Sequence, residues 1–183
     1  MNFCCQCSSP VKFEIPEGDN RPRHICTNCG TIHYSNPKIV AGCLPVYEGR
    51  ILLCKRAIEP RSGYWTLPAG YMENHESTQQ AAARETLEEA NARVSNLQLY
   101  TVTTILHASH VQMIYLAQLD DLDFSAGHET TDVQLFAEED IPWQELAFQS
   151  IHNALNFYFE DCKADEFPLR HIDINTPPRR YIK

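Results

Sequence analysis

"GYMENHESTQQAAARETLEEANA", Gly70 to Ala92, is the stretch whose reading decides the fold. Its middle predicts a helix. Ser77 is a natural N-cap, and Gln80 three residues on completes a capping box. Ala83, Leu87 and Ala90 predict an apolar stripe at i, i+4 and i+7. Asn91 ends the helix, because Asn tolerates the left-handed conformation beyond a last turn. The acid is the difficulty. Glu85, Glu88 and Glu89 fall on one helical face, where like charges repel. Glu88 and Glu89 also lie near the C-terminus, where the macrodipole disfavours anions. Arg84 offers Glu88 only a weak surface pair. An acidic helix face usually means a solvated surface and nothing more. Three details point elsewhere. The cluster sits at the helix end least suited to it. The helix is capped at both ends. The preceding loop, broken by Pro68 and Gly70, adds Glu76. A hard divalent cation removes the conflict, since Mg²⁺ takes oxygen ligands and bridges a few carboxylates to phosphate.

Outward from this helix the chain alternates strand and turn. "KIVAGCLPVYEGRILLCKR" predicts two strands around a Glu48-Gly49 turn. "YWTLPAGYMENHE" is loop-like. "LQLYTVTTILHA" and "HVQMIYLAQL" are rich in Val, Ile, Thr and Tyr and predict two more strands. "DVQLFAEEDIP" predicts a strand running into a turn. Ile151, Ala154, Leu155, Tyr158 and Phe159 recur at helical spacing. The chain after Asp161 reads as a tail, with some order around "FPLRHIDI". Together these predict a mixed sheet with few helices.

Residues 1 to about 35 have a different texture. They are poor in aliphatics and rich in Cys, Pro, Asn and Gly, so they need a staple to fold. Two C-x-x-C knuckles, Cys4/Cys7 and Cys26/Cys29, lie 18 residues apart. Zn²⁺ takes four ligands in a tetrahedron, and each knuckle delivers two thiolates. Gly30 follows the second knuckle, where a tight turn must form. A redox-active pair explains one C-x-x-C less well than zinc explains two. Cys5 beside Cys4 leaves a C-x-C alternative at the first position, and His24 and His33 read as ordinary polar residues. Four closed ligands make a structural site with no open catalytic position. Cys43 and Cys54 lie in apolar strands and read as small core residues. Cys5 and Cys162 have no assigned role.

The whole chain is 183 residues with a net charge of −9. That length fits one medium domain plus a small module. The acidic balance argues against nucleic acid or an anionic membrane as a partner without a local basic patch. In the first 35 residues, Lys12, Arg21 and Arg23 are balanced by Glu14, Glu17 and Asp19. No apolar run approaches membrane-spanning length. "MNFCCQCSSP" lacks the basic and apolar regions of a secretory signal, so a cytoplasmic location is expected.

Gly70-x5-Glu76-x7-Arg84-Glu85-Thr86-x-Glu88-Glu89-x-Asn91-Ala92 closely resembles the Nudix box, G-x5-E-x7-R-E-U-x-E-E-x-G-U with U a bulky aliphatic. Every charged position is in register. Thr86, Asn91 and Ala92 depart from the pattern without removing a charge. Together with the ribbon, "YSNPK", "WTLPAGYME", "LFAEEDIP" and "LAFQSI", the chain resembles Nudix hydrolases with an N-terminal zinc ribbon, including plant-type FAD and ADP-ribose pyrophosphatases. The resemblance implies an α/β/α sandwich around a mixed sheet, with the ribbon at 1–35, the Nudix domain at 36–160 and a tail at 161–183. It implies that Glu85, Glu88 and Glu89, helped by the Gly70 carbonyl, hold Mg²⁺ or Mn²⁺. Arg84 would orient the glutamates and Glu76 would support the loop. The general base would be a metal-bound glutamate or a later carboxylate: Glu129 first, Asp132 second, each set against an ordinary acidic loop. Tyr64, Trp65 and Phe136 are candidates to stack on an adenine or flavin ring, with core packing as the fate of at least one.

The implied activity is hydrolysis of a nucleoside diphosphate linked to another moiety. ADP-ribose, giving AMP and ribose 5-phosphate, and FAD, giving AMP and FMN, are the expected substrates. NADH, NAD or NAD-capped RNA is the alternative, weakened by the absence of an S-Q-P-W-P-F-P-x-S stretch after the box. His107 stands about where some ADP-ribose enzymes have proline. An alternative of another class is a non-catalytic nucleotide sensor whose ribbon binds nucleic acid. A homodimer is expected from family likeness.

Overall fold

A computed structural model describes residues 1–175. Pro177, Pro178 and the closing "RRYIK" lie outside the described residues. The chain divides into two compact units, Met1–Pro37 and the segment from Lys38 onward. In the first, β1 (Val11–Glu14), β2 (Arg23–Cys26) and β3 (Ile32–His33) form an antiparallel sheet in that order. Its buried apolar side chains are Cys4, Cys26 and Pro16. Phe3, Phe13 and Tyr34 are exposed. The ribbon therefore has no apolar core of its own.

The second unit begins with the predicted hairpin. β4 (Lys38–Tyr47) and β5 (Arg50–Arg56) are joined through Glu48 and Gly49. Both turn residues have positive φ, 48° and 76°, the requirement of a two-residue hairpin turn whose twist matches the strands. Then follow β6 (Trp65–Thr66), β7 (Ala69–Tyr71), α1 (Thr78–Ala90), β8 (Val94–Ile105), β9 (His110–Leu119), β10 (Thr130–Phe136), α2 (Gln149–Ala164) and β11 (Arg170–Ile174). The sheet runs β10-β5-β4-β9-β8-β11, with β6 on β5 and β7 on β4. β4–β9 and β8–β11 are parallel and the rest antiparallel, so the sheet is mixed. No helix among the described residues is long and apolar enough to cross a membrane.

Alternation along the strands sends successive side chains to opposite faces. Leu52 and Cys54 pack with Ala90 and Ala92 on the α1 side. Ile51 and Leu53 pack with Ile151, Leu155, Tyr158 and Phe159 on the α2 side. The predicted apolar face of α2 is therefore the buried one. The result is an α/β/α sandwich with apolar packing on both faces. Cys43 and Cys54 are core residues, and burial pushes both thiols up, Cys43 to about 11.

Two expectations need correction. Ala83, Leu87 and Ala90 do not form the buried stripe of α1. Leu87 is 49% exposed, and the buried face is Ala81, Ala82, Glu85, Thr86, Glu89 and Ala90. Small residues let this helix lie close on the sheet, and its burial takes two glutamates along. The chain beyond Asp161 is a tail only in part, and the order expected around "FPLRHIDI" is present. α2 continues to Ala164, and β11 joins the sheet beside β8. The buried Asp161 carboxylate fixes it. It accepts from the Tyr100 hydroxyl at 2.6 Å and from both terminal nitrogens of Arg170, at 2.6 and 2.5 Å. Burial opposes ionisation of Asp161, but the bonds from Arg170 and Tyr100 outweigh it and hold the carboxyl below its ordinary range. Asp161→Ala leaves a guanidinium and a buried phenol without their partner. It is expected to cost about 3 kcal/mol, read as a lower thermal midpoint.

Candidate functional site

The segment from Gly70 to Ala92 folds as its residues direct. Ser77 accepts from the Gln80 backbone N–H, and the Gln80 side chain accepts from the Ser77 N–H. Asn91 is left-handed at φ 48°. Its side chain also donates to the Ser125 and Ala126 carbonyls, a tie that glycine cannot make. Ser125 and Gly127 donate backbone N–H groups to the carbonyls of Ala90 and Glu89, the orphan acceptors at the end of α1. The loop that carries Glu129 is thus docked on the helix C-terminus. A Cβ on Gly127 would lie 1.8 Å from the Glu88 carbonyl oxygen, so only glycine fits there. Thr86 is fully buried and donates its hydroxyl to the Ala82 carbonyl at 2.8 Å, which satisfies the polar group in place of an aliphatic.

Arg84 organises the acids. Its Nε and Nη2 reach Glu76 at 3.0 and 2.8 Å. Nη1 reaches Glu85 at 2.7 Å and Glu88 at 3.0 Å, and Nη2 also donates to the Tyr71 carbonyl. Arg84 holds Glu76 well down, to about 2, helped by the Glu73 N–H. Glu85 and Glu89 behave oppositely. Burial pushes both up, Glu89 to about 7, and the charge of Glu129 adds to each. Glu89 accepts one weak compensating bond, from the Ala69 N–H at 3.2 Å. A Cβ on Gly70 would lie 2.3–2.5 Å from the Glu85 carboxylate, so β7 presses against that carboxylate.

These groups line one cleft of about 1820 Å³. Glu85, Glu88, Glu89, Glu129 and Gly70 share it with Tyr64 and His107. Other candidates lie elsewhere. Trp65 is 5% exposed and packs edge-on against Phe136 at 5.0 Å in the α2-side core, so neither is a stacking platform. Asp132 lies on the edge strand β10 and accepts from Gln134, outside the cleft. Arg56, Tyr71 and Gln112 line the cleft and were not singled out by the sequence. No periodicity marks them, because strand pairing alone brings them there.

The four ribbon cysteines form a second centre. Their sulfurs all lie within 4.8 Å of one another, with Cys7–Cys26 at 3.4 Å, Cys7–Cys29 at 3.5 Å and Cys4–Cys29 at 3.7 Å. A tetrahedron with Zn–S near 2.3 Å puts sulfurs about 3.8 Å apart. Backbone N–H groups of Asn28 and Cys29 point at Cys26 Sγ, and that of Gln6 at Cys4 Sγ. Cys5 is exposed and sits 3.7 Å from His33 Nδ1, away from the set. Among the described residues no carboxylate cluster is gathered as tightly.

Comparison with known proteins fits this geometry. NudC of Vibrio parahaemolyticus, described as an NAD-capped RNA hydrolase, is 29% identical over 146 residues, covering 78% of this chain and 53% of that protein. The Vibrio cholerae protein of the same description is 30% identical over 151 residues, covering 78% and 51%. The chain thus spans about half the length of these curated relatives. The crystal structure of a NUDIX hydrolase from Nitrosomonas europaea is 51% identical, covers 96% of this chain and all of its own, and superposes with a TM-score of 0.93. None of these is described as a plant-type FAD or ADP-ribose pyrophosphatase, so that finer resemblance gains no support from them. Residues 2–35 match the family model "Nudix N-terminal", a zinc ribbon, and residues 36–155 match "NUDIX domain": the chain belongs to the Nudix hydrolases and carries their N-terminal zinc ribbon.

Proposed function

We propose that the protein is a Mg²⁺- or Mn²⁺-dependent pyrophosphohydrolase that releases AMP from an ADP-linked substrate, with ADP-ribose and FAD as the first candidates. The observation that carries this is the gathering of Glu85, Glu88, Glu89 and Gly70 on one cleft with Arg84 at their centre. Glu85, Glu88 and Glu89, with the Gly70 carbonyl, would hold the cation. A bound divalent ion supplies charge to the diphosphate oxygens and lowers the pKa of water. Arg84 fixes two of the carboxylates, and Glu76 holds Arg84 through a bidentate pair. Glu129, exposed on its docked loop, is the proton acceptor we favour; Glu89 is the alternative, with its pKa already near neutrality. The cleft exceeds the usual size of a small-molecule pocket and suits an extended two-part nucleotide. Cys4, Cys7, Cys26 and Cys29 would hold a structural Zn²⁺.

The relatives named as NAD-capped RNA hydrolases favour a second substrate reading, NAD or NAD-capped RNA. The test is AMP release from ADP-ribose, FAD, NAD and NADH with Mg²⁺, and cap removal from NAD-capped RNA. Preferential metal-dependent cleavage of ADP-ribose or FAD supports the proposal. Preferential cleavage of NAD, NADH or capped RNA selects the second reading, and no cleavage at all turns the assignment toward a nucleotide sensor. Gly70→Ala adds a sharper check. The new methyl displaces the Glu85 carboxylate, which is the end of a flexible side chain, so stability should change little. Turnover should fall roughly a hundredfold, as when a metal site loses its support. Unchanged turnover at subsaturating Mg²⁺ would remove Gly70 and Glu85 from the metal site.

A further inference from the structure

Four buried side-chain polar atoms among the described residues have no hydrogen-bond partner: His33 Nε2, Thr101 Oγ1, Gln112 Oε1 and Ser150 Oγ. Leaving such an atom unpaired is costly, and each calls for a ligand, a water or another explanation. Gln112 and Ser150 share the cleft that holds the glutamates, although they are only 6% and 3% exposed.

Strand alternation explains the position of Gln112. Ile114 points into the α2-side core, so Gln112 lies on the same face, one step past the core's edge. In register beside it is Val40 on β4, and beside Val40 is Tyr71 on β7. Tyr71, Val40 and Gln112 form a row along the cleft. Gly70, the residue before Tyr71, faces the opposite side, against Glu85. β7 therefore links the carboxylate cluster to this row through adjacent residues. The Tyr71 ring is 48% exposed, with Lys38 Nζ over one face at 4.7 Å, and its hydroxyl is bonded to His110 Nε2 at 3.0 Å, which leaves the other face for a base. Ser150 belongs to the first turn of α2, which has no side-chain cap.

We infer that Gln112 reads the adenine of the substrate's AMP half. A carboxamide offers an acceptor and a donor side by side, the pattern complementary to adenine's exocyclic amine and N7. Oε1 accepts from the amine and Nε2 donates to N7. Tyr71 gives the base an exposed ring to lie against. Ser150 Oγ is a rotatable donor or acceptor in the same wall. This assignment rests on the proposal that the substrate is ADP-linked, and it names the part of the site that selects the base.

The test is equilibrium binding to the full chain, without added Mg²⁺. The ligands are AMP, purine riboside 5′-monophosphate, which lacks the amine, and nicotinamide mononucleotide. AMP should bind the wild type at least tenfold more tightly than the purine analogue, the effect of one hydrogen bond to a buried acceptor. Gln112→Leu should erase that preference, weakening AMP by about tenfold more than the purine analogue, which loses only the bond to N7. It should melt no lower than the wild type, because it removes the unpaired group. Gln112→Met, closer in length, serves if the leucine variant does not fold. Equal binding of the two purines, no AMP binding, an unaltered preference in the variants, or a Gln112-dependent preference for nicotinamide mononucleotide would each overturn the assignment. Hydrolysis of ADP-ribose, FAD, NAD, NADH and NAD-capped RNA run alongside keeps the two ideas apart. Absent hydrolysis with intact, Gln112-dependent AMP discrimination sinks the enzyme proposal and sustains the base subsite.

Discussion

Glu89→Gln is expected to lower metal-dependent turnover by roughly 10² to 10³-fold, the usual scale for losing one preorganised charge at a reacting centre. The same change should stabilise the metal-free protein at alkaline pH. Glu89 is 8% exposed, sits near Glu85 and Glu129, and receives one weak bond in return. Burial pushes its carboxyl to about 7, above the ordinary carboxylate range. The sign follows from proton binding. Between about 4.5 and 7 the folded protein holds a proton that the unfolded chain releases. Stability therefore falls as pH rises through that window, and the full penalty applies above it. Gln is nearly isosteric and carries no charge. At pH 8 it should recover roughly 2–3 kcal/mol, or about 5–10 °C in thermal midpoint for a chain of this size. At pH 4.5 it should recover almost nothing. Mg²⁺ should raise the midpoint of the wild type far more than that of the variant. Melting both proteins at two pH values, with and without Mg²⁺, checks all of this. A variant destabilised at pH 8 would show that Glu89 is a structural acceptor rather than a charge held for a cation.

Cys26→Ser is the second large effect. Bound zinc should fall from one per chain to none by elemental analysis, and the ribbon should unfold. The three strands of that unit have four, four and two residues. Beyond the cysteines Cys4 and Cys26, Pro16 is the one further apolar residue buried there. Sheets this short need a staple, and structural zinc contributes on the order of 10 kcal/mol or more in small modules. Cys5→Ser is the control. Its sulfur lies outside the group of four, so zinc content should stay at one. The unit from Lys38 onward has its own cores on both faces of the sheet. Cys26→Ser should therefore leave its cooperative unfolding transition in place. Full zinc in the variant would reopen the C-x-C alternative through Cys5.

The sequence by itself determined the elements whose causes are local. The caps of α1 are set by Ser77, Gln80 and Asn91, each acting within a turn of itself, and the structure places all three in those roles. The Glu48-Gly49 hairpin and the knuckle spacing are equally local. The shared face of Glu85, Glu88 and Glu89 was legible because the helical period converts spacing directly into a face, whereas Gly70, Glu76 and Arg84 were placed by the resemblance to the Nudix box. Tertiary packing decided what that period cannot. It buried Glu85 and Glu89 and exposed Leu87, because the face of α1 that meets the sheet is chosen by small side chains, not by the most apolar one. It drew Trp65 and Phe136 into the core and left Tyr64 at the cleft, since neighbours in sequence point to opposite sides of a strand. It made a sheet strand, β11, of the stretch expected only to be partly ordered, through the long-range contact of Asp161 with Tyr100 and Arg170. It also set Gln112, Tyr71 and the loop of Glu129 around one cleft. Strand pairing and loop docking join residues far apart in the chain, and no local pattern records which strand will lie beside which.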